Sequence, residues 1–148
     1  MKVFINHDGG AKLQIVLKDM ANRFKTAYAH AGTFNPDSAK VGLINEIGDP
    51  GHNLPPRPFM AVTFQRNYKK WLQTMLQELR KSTATSQTVV KAAGAEATAD
   101  ICKTLQASPA LFKTNAPSTV AKKGFDYPLF ERGKLFKSIR YKLSRGPL

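Results

Sequence analysis

Ten acidic residues, three histidines and one cysteine are the side chains of this 148-residue chain suited to proton transfer, nucleophilic attack or metal binding. Their spacing supports none of these. His7, His30 and His52 have no His, Cys or acid beside them at the separations that metal ligands keep. Cys102 follows Ile101 in an alanine-rich stretch, where a free thiol behaves as a small buried hydrophobe. The acids Asp8, Asp19, Asp37, Glu46, Asp49, Glu78, Glu96, Asp100, Asp126 and Glu131 form no close pair of the kind general acid–base catalysis uses. No G-x-S-x-G elbow, phosphate-binding glycine loop or H-E-x-x-H sequence is present. A hydrolase built on Glu46 or Asp126 is the remaining enzymatic reading, and an ion pair from Glu46 to Arg57 is the plainer role for the first of them. The sequence predicts no catalytic residue, no metal and no cofactor.

The cations are more informative. The formal charge is +13, and residues 113–148 hold nine Lys/Arg against two acids, whereas residues 83–112 hold two of each. Such a surplus favours polyanions or acidic protein surfaces and says nothing about fold. Lys122, Lys123, Arg132, Lys134, Lys137, Arg140, Lys142 and Arg145 are interleaved with Phe125, Tyr127, Phe130, Phe136 and Tyr141. Cations along a phosphate path with aromatic stacking platforms between them are what nucleic-acid binding needs. No helix-turn-helix, zinc or RNA-binding signature accompanies them. An interface-facing or solvated basic surface is therefore preferred. Lys122, Lys123, Lys134, Lys137, Arg140, Lys142 and Arg145 are the candidates for contact with DNA or an acidic partner.

The elements that position these residues follow from periodicity. Lys2–Asn6 reads as a short strand. Leu13, Leu17, Met20, Phe24 and Ala31 recur near helical spacing, with Asp8 as a cap and Gly32 as a stop, predicting a helix at about 11–31. Residues 33–38 form a turn-rich link. Val41, Leu43, Asn45 and Ile47 alternate, predicting a strand at 40–47, with a helical turn at Asn45–Gly48 as its alternative ending. Pro55, Pro56 and Pro58 force an extended lead-in that cannot enter a sheet ladder. Met60, Phe64, Trp71, Met75 and Leu79, with Tyr68 and Leu72 beside them, predict a helix at 60–81 whose aromatic stripe is core. Val89, Ala93, Ala97, Ile101 and Leu105 predict another at 87–107, weakened at Gly94 by about 1 kcal/mol relative to alanine. A polar connector at 113–128 leads through a turn at 130–135 to a strand at 137–144. Ile139, Tyr141 and Leu143 mark the buried face of that strand. The order is β-α-β-α-α-β. It predicts an α+β domain over 1–148: a small, mostly antiparallel sheet packed on one side by about three helices, with extended proline-rich arms.

Length allows one domain, and 42% hydrophobic residues is ordinary for a folded one. No apolar run is long enough to span a membrane, and the first ten residues are too quickly polar for a signal peptide. One cysteine rules out an internal disulfide framework and fits a reducing compartment.

Two segments resemble a known family as a pair. In the first, residues 40–59, the matching positions are Asn45, Glu46, Gly48, Pro55, Pro56, Arg57, Pro58 and Phe59. In the second they are Asn115, Pro117, Thr119, Lys123, Gly124, Pro128, Leu129, Gly133, Leu135, Ser138 and Ile139. This arrangement resembles the neck or tail-completion proteins of tailed bacteriophages over about residues 38–145. Two positions depart from the pattern: Ile47 stands for an aromatic, and Arg132 for a threonine.

The resemblance implies a non-enzymatic structural protein of the virion, located at the neck or top of the tail and assembled in the host cytoplasm. It would form a ring of its own copies, sixfold in expectation, and serve in tail completion or as a tail terminator. Its partners would be the head connector or head-closure protein on one side and the tail terminator or tail tube on the other. Genomic DNA in the channel is a further candidate partner, and no membrane is implied. A head-to-tail ring needs two different faces on each subunit. The expected interface residues are Glu46, Gly48, Pro55, Pro56, Arg57, Pro58, Phe59, Asn115, Pro117, Thr119, Lys123, Gly124, Pro128, Leu129, Arg132, Gly133 and Leu135, drawn from the 54–59 and 113–136 arms. A basic DNA-binding module is the alternative.

Overall fold

A computed structural model describes residues 18, 19 and 22–145. The strand expected at 2–6 and most of the helix expected at 11–31 lie outside them. Residues 18, 19, 22 and 23 are helical, but Tyr28–Thr33 is strand β1. The helical stripe was thus extended one element too far. Ala31 belongs to the strand, and Gly32, expected as a helix stop, lies within it at φ 155°. Arg23 anchors the turn before the strand, its guanidinium donating to the carbonyls of Ala84 (2.9 and 3.1 Å) and Ser82.

Helix α1 follows at Pro36–Ile47, where a strand was expected. Its start signals are all present. The Asn35 side chain accepts from Ser38 N at 3.0 Å, Pro36 occupies the first turn with Asp37, and Gly48 terminates the helix. The alternation of Val41, Leu43 and Ile47 misled because these side chains face outward, 50%, 60% and 66% exposed. The inward positions are the small residues Ser38 and Gly42, four apart. A side-chain carbon at Gly42 would lie 3.5 Å from Leu135 Cδ1 and 3.7 Å from Phe59 Cζ, so the glycine lets the core approach the helix backbone.

A 3-10 turn at Pro50–His52 and the extended prolines lead into α2, Phe59–Leu79. Helix α3, Ser86–Gln106, returns against it and opens with a capping box between Thr85 and Thr88. Short helices follow: α4 at Ser108–Leu111, α5 at Pro117–Lys123 and α6 at Lys134–Ser138. The connector expected to be irregular therefore contains a helix, with Pro117 at its start and Gly124 at φ 81° as its stop. Strand β2, Ile139–Ser144, pairs antiparallel with β1 from Tyr28↔Ser144 to Thr33↔Ile139. The fold is α+β, a two-stranded antiparallel sheet packed against helices.

The core consists of Phe59, Ile101, Leu105, Leu135 and Ile139. Helix α3 crosses the inner sheet face at Gly94, where an added carbon would meet Ala29 Cβ at 2.9 Å and Tyr141 Cδ2 at 3.3 Å. Of the expected core stripe on α2, Met60 packs against the core and Trp71 and Met75 are half-buried, but the rest faces outward. Phe64, Leu72 and Leu76 are 57%, 53% and 56% exposed. The face that α2 turns to α3 is stitched by polar pairs instead. Thr63 Oγ1 donates to Thr104 Oγ1 at 2.7 Å, Trp71 Nε1 to Asp100 at 2.8 Å, and Thr74 to Glu96. Those bonds fix the rotation of α2 about its axis, and the rotation leaves the larger apolar side chains outside.

Candidate functional site

The two segments singled out in the sequence meet in one hydrogen-bonded knot. Arg57 N donates to Asn45 O at 2.6 Å, closing the proline segment onto α1. Its guanidinium, buried in the body, donates at 3.2 Å to each of Lys113 O, Thr114 O and Asn115 Oδ1. Burial lowers the Arg57 pKa, and the charge of Asp126 partly restores it. Asp126 Oδ1 in turn accepts from Asn115 N at 3.0 Å and Asn115 Nδ2 at 2.8 Å.

Glu46 has a different partner from the one expected. Its carboxylate accepts from Met60 N and Ala61 N, both at 2.9 Å, and so caps α2 rather than pairing with Arg57. Pro58 precedes the helix and has no side-chain donor or acceptor for the cap, so Glu46 supplies it from α1. Gly48 is required beside this contact. At φ 79°, a side chain there would meet Pro56 N at 2.8 Å and Leu54 O at 2.9 Å.

The second segment also turns inward. Pro128 is buried and its carbonyl accepts from Ser108, while Tyr127 donates to Gln106 O. Leu129 adopts φ 61° and Gly133 φ 69°, the latter under the Phe130 ring. Leu135 then enters the core. Among the expected interface residues, Gly48, Arg57, Phe59, Pro128, Gly133 and Leu135 are therefore buried within their own subunit. Pro56, Pro117, Thr119, Gly124 and Arg132 are exposed, and Glu46, Pro55, Pro58, Asn115, Lys123 and Leu129 are half-buried.

The candidate cations divide in the same way. Lys123 is half-buried, donates to Tyr127 O at 2.9 Å and lies 5.0 Å from the Phe125 ring centre. Burial lowers its pKa. Lys122, Lys134, Lys137, Arg140, Lys142 and Arg145 are exposed. Register puts Arg140 and Lys142 on the outer sheet face with Tyr28, His30 and Gly32. Tyr28 and His30 stack there at 6.1 Å, and Lys142 sits 4.5 Å from the Phe34 ring centre. Neither strand contains an acid, and among the described residues none of these exposed cations forms an ion pair.

No metal-holding group of His, Cys, Asp and Glu occurs among the described residues. His30 Nε2 bonds Ser144 Oγ across the strands at 2.9 Å, and His52 Nδ1 bonds Asp49 Oδ2 at 2.7 Å on the surface. Cys102 is half-buried, which raises its pKa and keeps it the thiol. An open cleft of about 400 Å³ lies between β1, α2 and α3, lined by Ala29, Met60, Phe64, Trp71 and Gly94 among others. Among the described residues its lining carries no charged side chain.

Sequence reasoning missed the cluster at Asp100. This buried carboxylate accepts from Trp71 and Lys70, with Lys103 at 3.6 Å, while Lys70 also lies 3.5 Å from Glu96. Burial by itself would raise the Asp100 pKa, but the hydrogen bonds from Lys70 and Trp71 and the nearby positive charges outweigh it and lower the value. The signal was the i, i+4 pair Glu96 and Asp100 on an alanine-rich helix. The cluster joins α2 to α3 and faces no cavity chemistry.

Comparison with protein-family models, with curated proteins and with solved structures finds no match to this chain.

Proposed function

We propose that this chain is a structural assembly protein, a ring subunit of the neck of a tailed phage that completes the tail and joins it to the head. The observation that carries the reading is the Arg57 knot. The two segments that resemble the neck family are separated by more than fifty residues, yet they bond directly to one another. Their residues build a shape rather than a reactive centre, as expected of a scaffold. Deleting the gene from its phage should leave filled heads and incomplete tails that do not join. Immunogold label on the tagged chain should lie at the junction of intact particles. Infectious particles lacking the chain would sink the reading.

The outer sheet face favours a second reading, a basic module that binds DNA. Arg140 and Lys142 are two residues apart on a strand, so their heads project at about a 7 Å repeat from a face without acids. Duplex affinity measured across a salt series should then fall steeply, and neutralising Arg140, Lys142 and Arg145 should flatten the slope. Weak binding with no change on neutralisation would dismiss it.

A further inference from the structure

We propose that the outer face of the sheet binds a single-stranded nucleic acid, with bases stacked on the Tyr28 and His30 rings and phosphates held by Arg140 and Lys142. The inference rests on the nucleic-acid reading of this face and narrows its preferred ligand from a duplex to a single strand. Tyr28, His30, Arg140, Lys142 and Ser144 share the face by register. They divide by strand, β1 contributing the rings and β2 the cations. Residues two apart on a strand repeat at about 7 Å, and neighbouring strands lie about 4.8 Å apart, so a row of rings runs beside a row of cations. Tyr28 is exposed, and its ring lies 6.1 Å from that of His30 and within 24° of parallel to it. His30 Nε2 is bonded to Ser144 Oγ at 2.9 Å, which holds that ring on the face. The Lys142 ammonium rests on the Phe34 ring, 4.5 Å from its centre, and is kept over the face in the same way.

The cations continue past the end of the sheet. Arg145 follows Ser144, which pairs with Tyr28, and Lys25 lines the same hollow as Arg145. From Arg140 to Arg145 the chain spans about 17 Å. Lys25, Arg140, Lys142 and Arg145 are exposed, and among the described residues none of them forms an ion pair. Charge complementarity names a polyanion, and the rings choose its form. A single strand offers one row of phosphates with its bases free to be splayed out and stacked on aromatic side chains. That is the order of this face, with cations along one strand and rings along the other. A duplex keeps its base faces stacked inside. It would engage Arg140 and Lys142 but leave Tyr28 and His30 without a partner. Base faces and phosphates are common to DNA and RNA, so the chemistry recognised is that of either single strand.

Fluorescence anisotropy of the full chain tests this with four labelled probes of about 12 nucleotides, within the span of single-strand sites. They are oligothymidine, oligouridine, a duplex, and an abasic deoxyribose-phosphate strand. The better of the two single strands should bind at least about fivefold tighter than the duplex and the abasic strand, and it names the source. Tyr28→Ala should remove most of that preference and Tyr28→Phe should keep it, because the ring and not the hydroxyl makes the contact. Arg140→Gln/Lys142→Gln should lower the salt slope of single-strand affinity by about 1.4. A duplex or abasic strand that binds as tightly as the single strands would overturn the proposal and leave the broader DNA-binding reading standing. No binding to any probe below about 1 mM would overturn both. Should Tyr28→Ala melt below the assay temperature, the wild-type ratio of single strand to abasic strand decides the question without it.

Discussion

Arg57 and Asn115 stand 58 residues apart and share a hydrogen bond of 3.2 Å. Through it the proline segment and the connector that follows α4 become one rigid unit. The guanidinium fork is suited to this, because it reaches three acceptors that a point charge would not span. The chain thereby spends its least ordinary sequence on internal geometry and leaves its helices to face outward.

Removing that fork should be costly. Arg57→Ala leaves the carbonyls of Lys113 and Thr114 without a donor, and we expect a loss of about 2–3 kcal/mol in urea unfolding. Arg57→Lys should recover less than half of it. An unchanged midpoint in either variant would show that the knot contributes nothing to stability.

Glu46→Gln should destabilise by about 1 kcal/mol, because a neutral amide caps α2 less well than a carboxylate and offers one acceptor instead of two. Assembly at permissive temperature should be unaffected. A defect in particle yield far beyond the stability loss would revive a chemical role for this acid.

Gly94→Ala tests two opposing effects. Alanine favours the helix by about 1 kcal/mol, but its methyl would lie 2.9 Å from Ala29 Cβ, and overpacking costs about 1–3 kcal/mol. The contact involves a neighbouring strand rather than the end of a flexible side chain, so we expect Tm to fall. A rise in Tm would mean that α3 and β1 move apart freely.

Asp100 should make the fold sensitive to acid. Its pKa is lowered in the folded chain, so the native state binds a proton less readily than the unfolded state. The stabilisation is therefore complete above the unfolded value of about 3.9 and is lost as pH falls through the folded value. Asp100→Asn should reduce stability near neutral pH by about 1–2 kcal/mol while keeping an acceptor for Trp71. It should also flatten the stability profile below about pH 4. An equally steep acid limb in the variant would move the effect to other carboxylates.

The sequence by itself determined the α+β class, helices α2 and α3, and strand β2. Each carries an undiluted period: apolar residues at three- and four-residue steps in the helices, strict alternation in the strand. It also marked the two segments that form the knot. It misassigned β1 and α1 because local patterns there coincided with the wrong period. The inward face of α1 is made of Ser38 and Gly42, which no hydrophobic pattern detects. Only the tertiary structure decided which way α2 turns. Periodicity shows that an apolar stripe exists but not what covers it. The bonds from Thr63, Trp71 and Thr74 to α3 chose the polar side for the interior. The same holds for Glu46, Arg57 and Asp100, whose partners are 14 to 58 residues distant and become neighbours only when the chain has folded.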